Sequence, residues 1–180
     1  MIAVISLALV VLIPLIIWIR KSYFVVPELT IEFKKDGGSS SPIGFSNKNV
    51  AVDGVIEMRD AIQLFRLRWD IDIIITNNSE HNAFYPTMSF KETQPPFVRI
   101  EKLNELTPIA SREIIKIKAV FEELEEAKGA ERNDMKNLPL SLKDIQILLS
   151  YKNSAKSRSY TLYNNSDKSN KFFRRKPPRF

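Results

Sequence analysis

The chain has 180 residues, a formal net charge of +6 and no cysteine. This length allows one ordinary domain with a real core in addition to terminal segments. The lack of cysteine excludes disulfide bonds, thiolate zinc sites, iron–sulfur clusters and a cysteine nucleophile. The single histidine, His81, lies in a polar, turn-like stretch without the neighbours of a metal site.

An apolar segment, Ile2 to Ile19, contains no charged side chain. At about 1.5 Å per residue, a helix of this length approaches the roughly 30 Å of a bilayer's hydrocarbon core. A cleaved secretory signal would have a basic start, a shorter apolar run and a small-residue cleavage site. We therefore predict a permanent signal-anchor, residues 1–24, with Pro14 as a kink. A buried core helix and an uncleaved signal are the alternatives.

Residues typical of the membrane interface follow the apolar segment, namely Trp18, Arg20, Lys21 and Tyr23. No lysine or arginine precedes the segment, whereas Arg20 and Lys21 follow it closely. Because the side richer in these residues tends to stay in the cytoplasm, the pattern favours a single-pass protein of the cell (inner) membrane with a cytoplasmic C-terminal domain.

Alternation of apolar and polar side chains predicts strands through most of residues 25–163. PELTIEF is the first, and LFRLRWDIDIIITNNSE is the strongest, with Phe65, Leu67, Trp69, Ile71, Ile73 and Ile75 on one face. We expect Trp69 to lie between two sheets and its indole N–H to have one partner. AFYPTMSF predicts a return strand, at an edge or a bulge because of Pro86.

Further strands are predicted in FVRIEKL and SREIIKIKAVF, and a hairpin in SLKDIQILLSY and SRSYTLY. Glycine and serine predict a flexible loop at residues 34–50, and VAVDGVIEMRD is interpreted as a short strand or turn. The glutamate-rich segment 121–137 predicts a helical insertion on the surface. The predicted fold class is mainly β, an antiparallel two-layer sandwich with this short helix, after one transmembrane helix.

The segments WDIDIIITNNSEHNAFYP, PIASREIIKIKAVF and DIQILLSYKNSAKSRSYTLY resemble an immunoglobulin-like sandwich carried on a single membrane helix. The resemblance covers about Pro27 to Tyr163 and implies the fold alone. The chain lacks both cysteines of antibody-type domains, and no functional residue carries over.

The polar face of the strongest strand carries Arg66, Arg68, Asp70 and Asp72. Two carboxylates two residues apart lie on one face of a strand, where they can serve acid–base chemistry or bind a hard cation. Beside two arginines, and across from Lys116 and Lys118, cross-strand ion pairs are the simpler expectation. We interpret this face as a candidate surface for a protein partner.

The C-terminal segment 164–180 predicts a basic, disordered tail. The six positive charges of residues 168–180 equal the net charge of the chain, so the rest of the chain is formally neutral. Cations beside phenylalanines favour docking on anionic lipid headgroups, and nucleic-acid binding and a purely solubilising tail are the alternatives. The candidate lipid-binding residues are Lys171, Phe172, Phe173, Arg174, Arg175, Lys176 and Arg179.

No nucleotide-binding glycine loop, serine-hydrolase elbow or zinc-protease motif occurs in the sequence. We therefore expect no enzyme activity, no cofactor, no metal and no small-molecule substrate. The sequence predicts a membrane-anchored interaction or scaffolding module whose partners are the lipid bilayer and another protein. An extracytoplasmic ligand-binding domain on the same anchor is the alternative.

Overall fold

The computed structural model describes residues 2–23, 25–49, 61–91, 97–128, 131 and 137–177, with the side chains of the helix described at residues 10–20. Within these residues, one α-helix precedes eight strands. The elements are α1 (Ile2–Tyr23), β1 (Leu29–Phe45), β2 (Gln63–Asn77), β3 (Phe84–Phe90), β4 (Arg99–Ile100), β5 (Ile114–Ala127), β6 (Gln146–Lys152), β7 (Arg158–Asn164) and β8 (Ser169–Phe173). A short 3₁₀ helix, Leu140–Leu142, lies before β6.

The helix α1 has 22 residues and contains Pro14. Its large apolar side chains are exposed throughout the described stretch, from Val10 at 68% to Ile19 at 39%. In the described part of the chain, no helix combines the length and the apolar character needed to cross a membrane.

The strands form two antiparallel sheets, which confirms the mainly β, antiparallel prediction. Sheet 1 has the strand order β1-β2-β5-β4, and sheet 2 has the order β3-β6-β7-β8. The sheets face each other across one apolar core, to which both contribute. Phe33 of sheet 1 and Tyr163 of sheet 2 meet there with ring centroids 5.5 Å apart.

The strand β2 buries the six apolar residues of its predicted inner face, because successive side chains point to opposite sides of a sheet. Trp69 is completely buried and packs on Phe121 at a centroid distance of 5.8 Å. Its indole N–H donates to the carbonyl of Asn137 at 3.0 Å. The predicted position and single partner of Trp69 are therefore confirmed.

The predicted flexible loop at residues 34–50 is wrong for its first part, because β1 continues to Phe45 and pairs with β2 along its whole length. The register shifts between Lys35 and Gly37 and again between Pro42 and Gly44. At these bulges, an edge strand tolerates glycine and proline that would disrupt a central strand. The long partner strand therefore overrides the loop-forming composition. Residue 50 lies outside the described residues, as does the predicted strand or turn VAVDGVIEMRD.

The predicted helical insertion at 121–137 is wrong over residues 121–127, which extend β5. This half of β5 pairs with residues Gln63–Trp69 of β2, and Glu122 lies directly opposite Arg68. Cross-strand pairing supplies a stability that isolated helix propensity does not predict. Residues 129–130 and 132–136 of the predicted insertion lie outside the described residues.

The predicted disordered tail is wrong at its start, because Ser169–Phe173 forms β8 beside β7. The turn before β8 is held by the Asp167 carboxylate, which accepts bonds from the Ser169 N–H at 3.2 Å and hydroxyl at 2.8 Å. In a strand of five residues, apolar and polar side chains alternate over too short a stretch to predict the strand from the sequence. Residues 178–180 lie outside the described residues.

The other predicted strands form with some changes of partner. The predicted return strand is β3, but it pairs with β6 of sheet 2 and not with β2. Its register shifts between Phe84 and Thr87, so the prediction that Pro86 marks an edge or bulge is confirmed. In FVRIEKL only Arg99–Ile100 is a strand, whereas the β6–β7 hairpin forms as predicted.

An asparagine joins the two sheets where their edges meet. Asn170 of β8 accepts a bond from the Ile31 N–H at 2.8 Å and donates one to the Ile31 carbonyl at 2.9 Å. Its amide thereby reproduces the two bonds that a neighbouring strand would make to β1. Nearby, the buried Thr161 hydroxyl donates to the Leu29 carbonyl at 2.8 Å and accepts from Tyr151 at 3.1 Å.

We expect Asn170→Ala to lower the free energy of unfolding by about 1–2 kcal/mol, because two backbone groups of Ile31 lose their partner. Lys171→Ala, at the next position of β8, is the control and should change it by less than about 0.5 kcal/mol. Denaturant unfolding of the full chain in detergent, followed by tryptophan fluorescence, measures both. Equal effects of the two substitutions would contradict the joining role of Asn170.

Stability should also depend on alkaline pH. Burial raises the pKa of Tyr151 and of Tyr163 above the ordinary tyrosine value of about 10. The contribution of these two tyrosines to the free energy of unfolding is therefore complete below about pH 10, and it is lost as the pH rises above that value. Tyr151→Phe should flatten the fall in the free energy of unfolding between about pH 10 and pH 12. If the free energy of unfolding of Tyr151→Phe fell as steeply as that of the unchanged protein, ionisation of Tyr151 would not be a cause of the alkaline loss of stability.

Candidate functional site

The outer face of sheet 1, which points away from the core, carries the candidate partner residues Arg66, Arg68, Asp70 and Asp72. All four lie at alternate positions of β2, as predicted. Arg66 and Arg68 are exposed, and Asp70 is half-buried. Asp72 differs from the expectation, because it is only 5% exposed. The face is therefore a surface with one buried carboxylate in it.

A cleft of about 400 Å³ crosses this face, and we call it the Asp72 cleft. All four strands of sheet 1, or the residues that flank them, contribute to its walls. Its charged residues are Asp36, Arg68, Asp70, Asp72, Arg99, Glu101 and Lys118. Gly37 lines the cleft on the β1 side, where a Cβ atom would lie in ordinary van der Waals contact, 3.6 Å from Asp70 Oδ2.

Three charged residues of the cleft, Arg68, Asp70 and Glu101, make hydrogen bonds within the protein. The Arg68 guanidinium donates to Asp70 Oδ1 from Nε at 3.2 Å and from the terminal nitrogen at 3.1 Å. Glu101 Oε2 accepts the backbone N–H of Lys118 at 3.0 Å. Asp70 thus pairs along its own strand, and the cross-strand pairing predicted for it does not occur.

Asp72 makes the predicted cross-strand ion pair with Lys116 of β5, although the contact is long. Its Oδ2 lies 3.9 Å from Lys116 Nζ, too far for a hydrogen bond, and the lysine side chain is 63% exposed. Its Oδ1 is buried and has no hydrogen-bond partner in the part of the chain that the structure describes. Leaving a buried polar atom unsatisfied costs about 1–3 kcal/mol, and more when the group is charged. The described residues therefore supply no donor to Oδ1, and Oδ2 has only the long contact with Lys116.

The sequence alone predicts the Asp70 and Asp72 face but not the cleft. Gly37 falls in the segment predicted to be a loop. Arg99 begins a strand of only two residues, and Glu101 directly follows it. Strand alternation places residues on a face, but it does not reveal which strands lie side by side. The described residues contain no group of three or more histidine, cysteine, aspartate or glutamate side chains arranged to hold a metal ion.

The predicted membrane-interface and lipid-binding residues are partly brought together. A second cleft, of about 360 Å³, is lined by Trp18, Val26, Ser157, Arg158, Ser159, Arg174 and Arg175, and we call it the arginine cleft. Trp18 is 60% exposed, and Arg20 is also exposed. The side chains of Lys21 and Tyr23 lie outside the described residues, as does Arg179.

The other candidate lipid-binding residues do not line the arginine cleft. Lys171 and Phe172 are exposed on β8, Phe173 is half-buried at its end, and Lys176 is exposed beyond it. Sequence reasoning missed Arg158, because it lies at the start of a predicted hairpin strand and far from the basic tail in sequence. Only the pairing of β7 with β8 brings it close to Arg174 and Arg175.

Comparisons with protein-family models, with curated proteins and with solved structures each found no match. The interpretation of both clefts therefore depends on their own geometry and chemistry.

We expect Asp72→Asn to leave the free energy of unfolding unchanged or to raise it by up to about 2 kcal/mol, because the amide keeps the shape and removes a buried charge. Asp70→Asn, which loses only an exposed pair, should change it by less than about 1 kcal/mol. Denaturant unfolding of the full chain measures both. A loss above about 3 kcal/mol for Asp72→Asn would show that the carboxylate is already part of a buried ion pair.

Proposed function

We propose that this protein is a non-catalytic interaction or scaffolding module held at the cell (inner) membrane by a single N-terminal helix. Its sandwich domain presents the Asp72 cleft to a protein partner. The observation that carries the proposal is Asp72, which lines an open cleft and whose buried Oδ1 has no hydrogen-bond partner among the described residues. A group of this kind is retained at a cost in stability, which is typical of binding surfaces.

The strand order supports an immunoglobulin-like assignment for the sandwich. Lettering β1 to β7 as A to G in chain order gives the sheets A-B-E-D and C-F-G, the arrangement of constant-type immunoglobulin domains. The strand β8 is then an addition beside G. Because many functions share this architecture, the assignment concerns the fold, and the function is argued from the cleft.

The chemistry of the Asp72 cleft favours a basic side chain of a partner protein. A lysine or arginine supplies the donor that Asp72 Oδ1 lacks, and it neutralises the buried charge at the same time. The lining also contains Arg99 and Lys118, which would attract acidic groups beside that basic residue. The partner segment is therefore expected to contain both charges, with the basic residue at its centre.

The membrane anchor is supported by the sequence of the segment Ile2–Ile19, which contains no charged side chain and, at about 1.5 Å per residue, approaches the roughly 30 Å of the hydrocarbon core. From Val10 to Ile19 the apolar side chains of α1 are exposed at successive positions and so on all sides of the helix. Such a helix requires an apolar environment that the sandwich does not supply.

Site-specific crosslinking in cells tests the partner proposal. A photoreactive residue replaces Val120, which lines the Asp72 cleft, or Tyr160, which lies on sheet 2. We expect one partner to crosslink at position 120 and not at 160. Asp72→Asn should reduce that crosslink at least tenfold, whereas Asp70→Asn should keep more than half of it. An undiminished crosslink in Asp72→Asn would contradict the proposal.

Topology is tested separately. We expect the full chain to stay in the membrane after a carbonate wash, and a reporter fused after Phe180 to be active in the cytoplasm. Release of the intact chain by carbonate would overturn the anchor. A reporter active only outside the cytoplasm would instead favour the alternative, an extracytoplasmic domain that binds its ligand through the same cleft.

A further inference from the structure

The basic C-terminal residues lie at the end of the sandwich that is nearest to the connection between α1 and β1. The strand β8 is antiparallel to β7, and Phe173, its last residue, pairs with Tyr160 near the start of β7. The hairpin before β7 lies at the same end, because Asn153 donates to the carbonyl of Val25 at 3.0 Å. Arg174 and Arg175 thus emerge beside the connection between α1 and β1.

The arginine cleft forms where these segments meet. Its three guanidinium groups come from Arg158, Arg174 and Arg175, and no acidic residue is among the described residues that line it. The hydroxyl of the half-buried Ser157 is a further donor. Trp18 and Val26 supply an apolar wall on the side of the helix. The cleft therefore combines convergent positive charge, hydrogen-bond donors and one apolar side.

This chemistry fits a phosphate group attached to a lipid. Guanidinium groups bind phosphate oxygens through two parallel N–H bonds, which a single ammonium group cannot provide. Trp18 lies at the end of the uncharged segment, where tryptophan typically sits at the level of lipid headgroups. A soluble phosphate would use the arginines but would leave the apolar wall of Trp18 and Val26 without a function.

We infer that the arginine cleft binds the phosphate of an anionic phospholipid headgroup and so fixes the sandwich against the bilayer at a second point. The inference rests on the membrane anchor of the proposed function. It assigns a role to Arg158, Ser157 and the end of β8, and it replaces a diffuse basic tail with a defined site. Two attachment points restrict rotation of the sandwich about α1 and hold the Asp72 cleft at a constant orientation to the membrane.

The test uses the full chain reconstituted in vesicles that contain brominated lipids, which quench nearby tryptophan. Trp69 is completely buried in the sandwich and gives a constant background, so the change reports Trp18. Brominated phosphatidylglycerol is compared with brominated phosphatidylcholine. We expect the anionic lipid to be preferred around Trp18 by at least about fivefold.

Arg158→Gln combined with Arg175→Gln should reduce this preference to less than about twofold. The matched control, Lys102→Gln with Lys143→Gln, removes the same charge from two exposed positions away from the arginine cleft and should keep the preference. Circular dichroism checks that both variants retain their strands. If both variants lost the preference for the anionic lipid equally, the preference would come from nonspecific charge attraction, and the arginine cleft would not be a lipid-binding site.

Further experiments distinguish a lipid phosphate from a soluble phosphate, and a failure of this inference from a failure of the membrane anchor. Displacement of the anionic lipid by inorganic phosphate but not by chloride of equal ionic strength would show a soluble phosphate site and overturn the lipid assignment. Preferential binding of single-stranded RNA would overturn it as well. Quenching of Trp18 by both lipids without a preference would defeat this inference alone. Quenching by neither lipid would defeat the anchor too.

Discussion

The strand β2 organises the domain, because its alternation of side chains determines both the core and the surface. One face buries six large apolar residues, and the strand pairs with β1 on one side and β5 on the other along nearly its whole length. Since successive side chains must point in opposite directions, the same strand places four charged residues on its outer face. The core and the Asp72 cleft are thus opposite faces of one element.

This constraint explains why Asp72 is buried and why its Oδ1 lacks a hydrogen-bond donor among the described residues. In the middle of a four-stranded sheet, a short side chain is covered by its neighbours, whereas Lys116 reaches past it toward solvent. Gly37, which follows the bulge of β1, lines the cleft beside Asp70. The position of the carboxylate therefore follows from the packing of the sheet, and the missing donor to Oδ1 is the feature on which we base the proposed binding surface.

The sequence predicts those parts of the fold in which the pattern of side chains within a single strand or hairpin is enough to define the structure. Trp69 and its neighbours on β2 and the β6–β7 hairpin have clear alternation or turn signals, and they form as predicted. The extension of β1, the second half of β5 and the strand β8 form because a partner strand is present. Their local compositions favour a loop, a helix and disorder, and pairing overrides each of them.

The same distinction applies to the two clefts. Alternation places Asp70 and Asp72 on one face, but the contribution of Gly37 and Arg99 depends on the lateral order of strands. The basic residues of the C-terminal segment are visible in the sequence, but their meeting with Arg158 and Trp18 depends on β8. Sites assembled from several strands require the topology before they can be recognised.

The central claim is that the long ion pair with Lys116 does not compensate the buried Asp72 carboxylate, whose Oδ1 has no hydrogen-bond partner among the described residues. A double-mutant cycle between Asp72→Asn and Lys116→Met, measured by denaturant unfolding of the full chain, tests it most directly. The account predicts a coupling free energy below about 1 kcal/mol, as for an exposed ion pair. A coupling of about 3 kcal/mol or more would show that Lys116 already satisfies the carboxylate, and the cleft would then offer no acceptor to a partner.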